Sequence, residues 1–192
     1  MDAASAQDTD FHGYGAAIRA RLSELIPEHE DVRVLDVGTG MASTVKFLLR
    51  HLSKQSRVFS LDPSEDVLTK ARSALSADDR QRVTLTKGSA DELKFGDGFF
   101  DIVVSVMVMH HIEAVGGSVA EMSRVLKQGG RLIIVDYSPE AHTLDFQSRH
   151  SEEDFFESDT ISIAARASRL KPRVEDHGKW YLVEATRTIG TE

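Results

Sequence analysis

The sequence predicts an α/β fold: a single domain on a doubly wound, mostly parallel sheet with an antiparallel hairpin at its C-terminal end. Three observations predict it. Short apolar strand patterns alternate with helical patterns across residues 14–136. A glycine turn, Gly38-Thr39-Gly40, lies between the first strand pattern and the helix after it. Two strand patterns joined tightly at His177-Gly178 close the sheet.

Each element has its own signal. In residues 14–25, Ile18, Leu22 and Leu25 recur at helical spacing, and Pro27 ends the helix. Residues 32–37 read as the first strand. Residues 42–52 follow as a helix with Val45, Leu48, Leu49 and Leu52 on one face. A second strand covers 57–61. Ser64 then caps a helix through Leu75, with Glu65 and Asp66 in its first turn. Residues 83–86 form a third strand and 100–107 a fourth, almost wholly apolar, with Met107 and Met109 expected in the core. A helix over 118–126 is expected to stop at Gly129-Gly130, before a fifth strand over 131–136. Residues 151–170 read as helical, with a possible division at Ser158. Strands over 172–176 and 179–186 complete the chain.

Composition bounds the function. The 192 residues fit one domain, with residues 1–10 expected as a flexible tail and 11–192 as the folded unit. Hydrophobic residues make up 41% and charged residues 28%, an ordinary globular balance. Lys and Arg total 23 against 31 Asp and Glu, a net charge of -8. That balance argues against non-specific binding of nucleic acid or anionic membrane. No apolar run is long enough to span a bilayer, and the N-terminus lacks the pattern of a signal peptide. A cytoplasmic location is therefore expected. With no Cys, there is no disulfide, thiolate nucleophile or Cys-ligated metal.

The residues around the glycine turn point to a ligand. Glycines between a strand and a helix let the backbone approach a bound molecule closely. Asp62 ends the second strand, where a carboxylate can accept both hydroxyls of a ribose. Together these features indicate an adenosine-containing ligand. A dinucleotide is disfavoured, because Ser43 stands where its fingerprint needs a third glycine. Asp36, two residues before Gly38, would repel a pyrophosphate and suits a cationic ligand instead. No Tyr is followed four residues on by Lys, as a short-chain dehydrogenase requires.

Five segments, in order, carry a family resemblance. Residues 34–40, Val-Leu-Asp-Val-Gly-Thr-Gly, resemble the first motif of class I S-adenosylmethionine-dependent methyltransferases. Residues 59–64, with Asp62 and Pro63, are similar to that family's ribose-binding strand end. Residues 88–95, with Ser89 and Ala90, are similar to its adenine-contacting loop. Residues 100–105, ending at Ser105, and 125–132 resemble its fourth-strand and fifth-strand motifs. The local style is closest to the branch of ubiquinone and menaquinone-biosynthesis methyltransferases, a branch broad in substrate. Two departures stand out: Ala42 replaces the third glycine of the first motif, and Ser89 replaces an acidic residue of the adenine loop.

The resemblance implies a cofactor, S-adenosyl-L-methionine, with S-adenosyl-L-homocysteine as product. It implies a binding set of Tyr14, Asp36, Gly38, Thr39, Gly40, Asp62, Pro63, Ser89, Ala90 and Ser105. Asp36 would hold the methionyl ammonium, and Tyr14 would close over the cofactor from the N-terminal helix. His110 and His111 follow the fourth strand, opposite the expected methyl. Either is a candidate general base, since imidazole titrates near neutrality. Asp136 would place a carboxylate in the same region or cap the next turn.

A small-molecule acceptor, methylated on O, N or C, is favoured. Alternatives are a protein or RNA acceptor with a partner subunit, a homo-oligomer, and a non-catalytic cofactor-binding module. Without Cys or Asn, cysteine-dependent C5 methylation and the Asn-Pro-Pro-Tyr amino-methylation signature are excluded. No metal is expected, because Asp136 lacks the clustered oxygen partners that a metal-dependent site needs.

Overall fold

Strand β1, Arg33–Val37, forms where four apolar or pairing residues in succession leave no exposed face; past Arg33 every residue is buried. The computed structural model describes residues 13–28, 30–143 and 155–188, so the expected tail over 1–10 lies outside the described residues. These residues fall into two compact units that divide between Lys87 and Gly88.

The first unit contains helix α1 (Gly15–Leu25), β1, α2 (Ser43–His51), β2 (Arg57–Asp62), α3 (Glu65–Ala74), α4 (Ala77–Arg82) and β3 (Val83–Lys87). Its strands run parallel in the order β3-β2-β1. Ile18 and Leu22 of α1, with Val45, Leu48 and Leu49 of α2, are buried, as their helical spacing predicts. Ser64 caps α3 by accepting a hydrogen bond from the Val67 amide at 3.3 Å. Helix α4 has no counterpart in the sequence reading. It buries none of its six residues and rests on a capping box between Ser76 and Asp79, so it has no apolar period to detect.

The second unit contains β4 (Phe100–Val106), a 3-10 turn (Met109–His111), α5 (Val115–Val125), β5 (Leu126–Tyr137), a second 3-10 turn (Pro139–Thr143), α6 (Ser158–Ala167), β6 (Leu170–Asp176) and β7 (Trp180–Arg187). Its strand order is β4-β5-β7-β6. The β4–β5 pair is parallel, and β5–β7 and β7–β6 are antiparallel. With seven strands in all, the chain has the mostly parallel α/β fold with a C-terminal antiparallel hairpin that the sequence predicts. No helix among the described residues is long and apolar enough to cross a membrane.

Four local expectations are corrected. Gly129-Gly130 do not stop a helix: α5 already ends at Val125, and β5 begins at Leu126. The glycines instead build a bulge. Phe100 pairs with Leu126 and Ile102 with Arg131, so residues 127–130 loop out between them. A β-carbon on Gly130 would lie 2.8 Å from the Lys127 carbonyl oxygen and 3.0 Å from that of Asp101, so only glycine fits. Helix α5 starts at Val115, three residues before Ser118. Met107 is only half-buried and takes φ 56 just past the end of β4, whereas Met109 is fully buried as expected. The helix expected over 151–170 exists only from Ser158. Residues 155–157 are not helical, and 151–154 lie outside the described residues.

Candidate cofactor and acid-base sites

In the first unit, the turn after β1 is fixed by backbone geometry. Gly38 and Gly40 adopt φ 92 and 48, conformations that side chains disfavour. The amides of Gly38 and Thr39 both donate to the Leu61 carbonyl, at 2.9 and 3.0 Å, which fastens the turn to the end of β2. Ala42 sits at φ 63 immediately before α2, the left-handed region that glycine serves best. The family's third glycine is thus replaced at a position whose backbone still asks for one. Ala42→Gly is expected to stabilise the protein by about 1 kcal/mol in urea unfolding. An unchanged or lowered midpoint would show that packing of the buried methyl outweighs the strain.

Asp36 is fully buried. Parallel register sets it beside Ser60 of β2, whose hydroxyl donates to Asp36 Oδ2 at 2.7 Å. Ser60 has one proton to give, so the buried Thr39 hydroxyl, 2.7 Å away, donates to Ser60 in turn. The other Asp36 oxygen, Oδ1, is buried without a hydrogen-bond partner. Burial raises its pKa from 3.8 to about 7, with Ser60 opposing the shift and the nearby Asp62 charge adding to it. A buried carboxylate with an unsatisfied oxygen matches the cationic end of an amino-acid ligand.

Asp62 is half-buried at the end of β2. Its Oδ2 accepts from the Gly40 amide at 3.2 Å and its Oδ1 from the Ser64 amide at 3.0 Å. These bonds orient the carboxylate and leave lone pairs for further donors. Asp36, Gly38, Thr39, Gly40 and Asp62 are therefore linked through one turn. Pro63 is exposed beside them, and Tyr14 stands half-buried at the N-cap position of α1. The Thr39 hydroxyl is engaged with Ser60.

In the second unit, Ser89 and Glu92 form an isolated antiparallel bridge, and the Ser89 hydroxyl donates to the exposed Asp91 carboxylate. Ala90 is buried inside this tight turn. Ser105, near the end of β4, is fully buried with an unpartnered hydroxyl.

The two histidines stand 4.1 Å apart ring to ring but differ in burial. His111 is exposed. His110 is buried, its Nδ1 lying 2.6 Å from Asp136 Oδ1 at the end of β5. Asp136 is also buried and accepts main-chain bonds from His110 at 3.2 Å and Tyr137 at 2.7 Å. A carboxylate oxygen accepts, so in this contact His110 Nδ1 is the donor. Phe155 stacks on the His110 ring at 5.7 Å, and Tyr137 lies tilted at 5.6 Å. Tyr181 is opposite Asp136 in the β5–β7 register, and its buried hydroxyl has no hydrogen-bond partner. Burial, with Asp136 and Glu157 nearby, pushes that phenol well above its ordinary pKa, so it stays protonated.

Ser60, Phe155 and Tyr181 escaped the sequence reading. Ser60 was recoverable in principle, since pairing β1 with β2 puts it beside Asp36. Phe155 and Tyr181 reach the site through chain crossings that carry no local signal. Among the described residues, no cluster of three or more His, Asp or Glu side chains could hold a metal.

Comparison with known proteins bears on the family and the fold. A family model for the methyltransferase domain matches residues 35–134, more than half of the chain. The chain is 31% identical over 134 residues to the uncharacterized methyltransferase YcgJ of Bacillus subtilis, covering 69% of this chain and 51% of that protein. It is 32% identical over 120 residues to a demethylmenaquinone methyltransferase of Listeria monocytogenes, covering 62% and 51%. The chain thus spans about half the length of the curated relatives it matches. A chain in the complex between the Haloferax volcanii Trm112 methyltransferase activator and a methyltransferase superposes with a TM-score of 0.78 at 20% identity. That match covers 97% of this chain and 92% of the other, and it shows the fold. By motif, fold and family match together, the chain belongs to the methyltransferase domain family, with the class I architecture.

Proposed function

We propose that the protein is an S-adenosylmethionine-dependent methyltransferase acting on a small-molecule acceptor. One observation carries the reading: Asp36, fully buried with one oxygen unsatisfied, at the glycine turn that Asp62 braces. When bound, the cofactor supplies a methyl group activated by its sulfonium, and the protein's share is alignment and proton handling. Asp36 receives the methionyl ammonium, and Asp62 accepts the ribose hydroxyls. Ser89, Ala90 and Asp91 flank the adenine. Ser105 offers its unpartnered hydroxyl at the β4 end, while Tyr14 and Pro63 border the cofactor. His110, held by Asp136, takes the proton from the acceptor as it is methylated. His111 serves no proton-transfer role in this reading. The Tyr137 and Phe155 rings beside His110 suit an apolar or aromatic small molecule, and the net charge of -8 disfavours a nucleic acid.

A second reading, in which a partner subunit or a second copy completes the acceptor site, draws support from the activator complex of the similar Haloferax chain. A cytoplasmic setting belongs to both readings.

Cofactor affinity tests the assignment. Asp62→Ala is expected to weaken S-adenosylmethionine binding by roughly tenfold to a hundredfold in calorimetry, because charge-assisted bonds to two hydroxyls are lost. Binding at wild-type strength would remove the ribose from Asp62. Preference for NAD over S-adenosylmethionine in the wild type would replace the whole reading with an oxidoreductase.

A further inference from the structure

Helix α5 carries a side-chain cluster that holds the segment before β4 by its main chain. Arg124 Nη2 donates to the Leu93 carbonyl at 2.8 Å, and Nη1 donates to the Phe95 carbonyl at 2.9 Å. Nη1 also donates to Asp97 Oδ1 at 2.6 Å. The same guanidinium grips Glu121 through Nε at 2.7 Å and Nη2 at 2.8 Å. Glu121 Oε2 in turn accepts the Leu93 amide at 2.9 Å. Both polar main-chain groups of Leu93 are therefore held by one ion pair, and every N–H direction of Arg124 is in use. Arg124 holds Glu121 below the usual carboxylate range, so the pair stays charged in mildly acidic solution. Phe95 packs edge-on against Phe100 at 4.9 Å, which gives the clamp an apolar floor. The clamp begins one residue after the Ser89–Glu92 turn, so the C-terminal end of that turn is its fixed base and the turn is the tip.

The geometry points to Arg124 and Glu121 as positioning residues that set the protein's selectivity for adenine. They would do so by fixing the base on which the Ser89–Glu92 tip stands. This rests on the reading of residues 88–95 as the adenine-contacting segment. A tip that meets the base only through short polar groups and main chain discriminates by where it stands, and a loosened base blurs that position.

The test is calorimetric binding of S-adenosylhomocysteine and of S-inosylhomocysteine, which carries an oxygen in place of the adenine amino group. Wild type is expected to prefer the adenine compound. Arg124→Ala is expected to lose about tenfold in affinity for the adenine compound and little for the inosine one, so that the preference collapses. Arg124→Lys keeps the charge without the forked contacts and is expected to fall between the two. If the alanine variant fails to fold, the lysine variant decides with the same pair of ligands. A preference undiminished in the folded variants overturns the proposal and leaves the adenine reading standing. No preference in the wild type overturns the adenine reading, and the proposal with it.

Discussion

Asp36→Asn is expected to make the ligand-free protein more stable at neutral and higher pH while removing most of its affinity for S-adenosylmethionine. Both effects come from one buried carboxyl. Its pKa is 3.8 when exposed and about 7 in the folded chain. Between those values the folded chain keeps a proton that the unfolded chain has released. Stability from this group is therefore complete below about pH 4, falls as pH rises, and is fully lost above about pH 7. Asparagine cannot ionise, so the variant escapes the loss, a gain on the order of 4 kcal/mol at its upper bound. Ser60 can still donate to the amide oxygen, so the local hydrogen bond survives.

Binding of a cation reverses the preference. The ammonium group needs the ionised carboxylate, so below about pH 7 binding must expel the Asp36 proton. Affinity is expected to rise by up to about tenfold per pH unit in that range and to level off above it. Calorimetry near pH 6 in buffers of different ionisation heat should show roughly one proton released per cofactor bound. The Asn variant should release none and bind on the order of a hundredfold more weakly. Equal affinity and no proton release would place the ammonium elsewhere.

His110→Ala is expected to lower turnover by about 10²- to 10⁴-fold with little change in cofactor affinity, the range of a lost general base. His111→Ala should stay near wild type, because that ring is exposed and lies outside the Asp136 contact. Asp136→Asn should lower turnover as His110→Ala does. An amide cannot accept from His110 Nδ1–H, its main-chain amide and the Tyr137 amide as the carboxylate does. That variant is also expected to lose about 1–3 kcal/mol, since a buried donor goes unpaired, so turnover must be read well below its melting point. Full turnover in His110→Ala with the true acceptor would dismiss His110 as the base.

The mostly parallel sheet with its terminal hairpin, the glycine turn and the place of Asp62 at a strand end were legible because each has a local cause: alternation of apolar runs, a backbone that needs positive φ, a carboxylate closing a strand pattern. The α5 boundary was misread for an instructive reason. Gly129-Gly130 look like a helix stop, but their freedom is spent on a bulge where Gly130 meets two carbonyls. The His110–Asp136 contact was beyond the sequence, because its partners lie 26 positions apart on different elements. Ser60 and Arg124 act through partners on other elements, so no spacing within their own segments marks them.

Incubating the protein with radiolabelled S-adenosylmethionine and host extract, then separating small molecules, RNA and protein, shows whether this chain moves a methyl group from the cofactor and onto what. Label is expected in the small-molecule fraction, and it is expected to be lost in Asp36→Asn and His110→Ala. Label in no fraction, on a sample shown to bind the cofactor, would contradict methyl transfer by this chain.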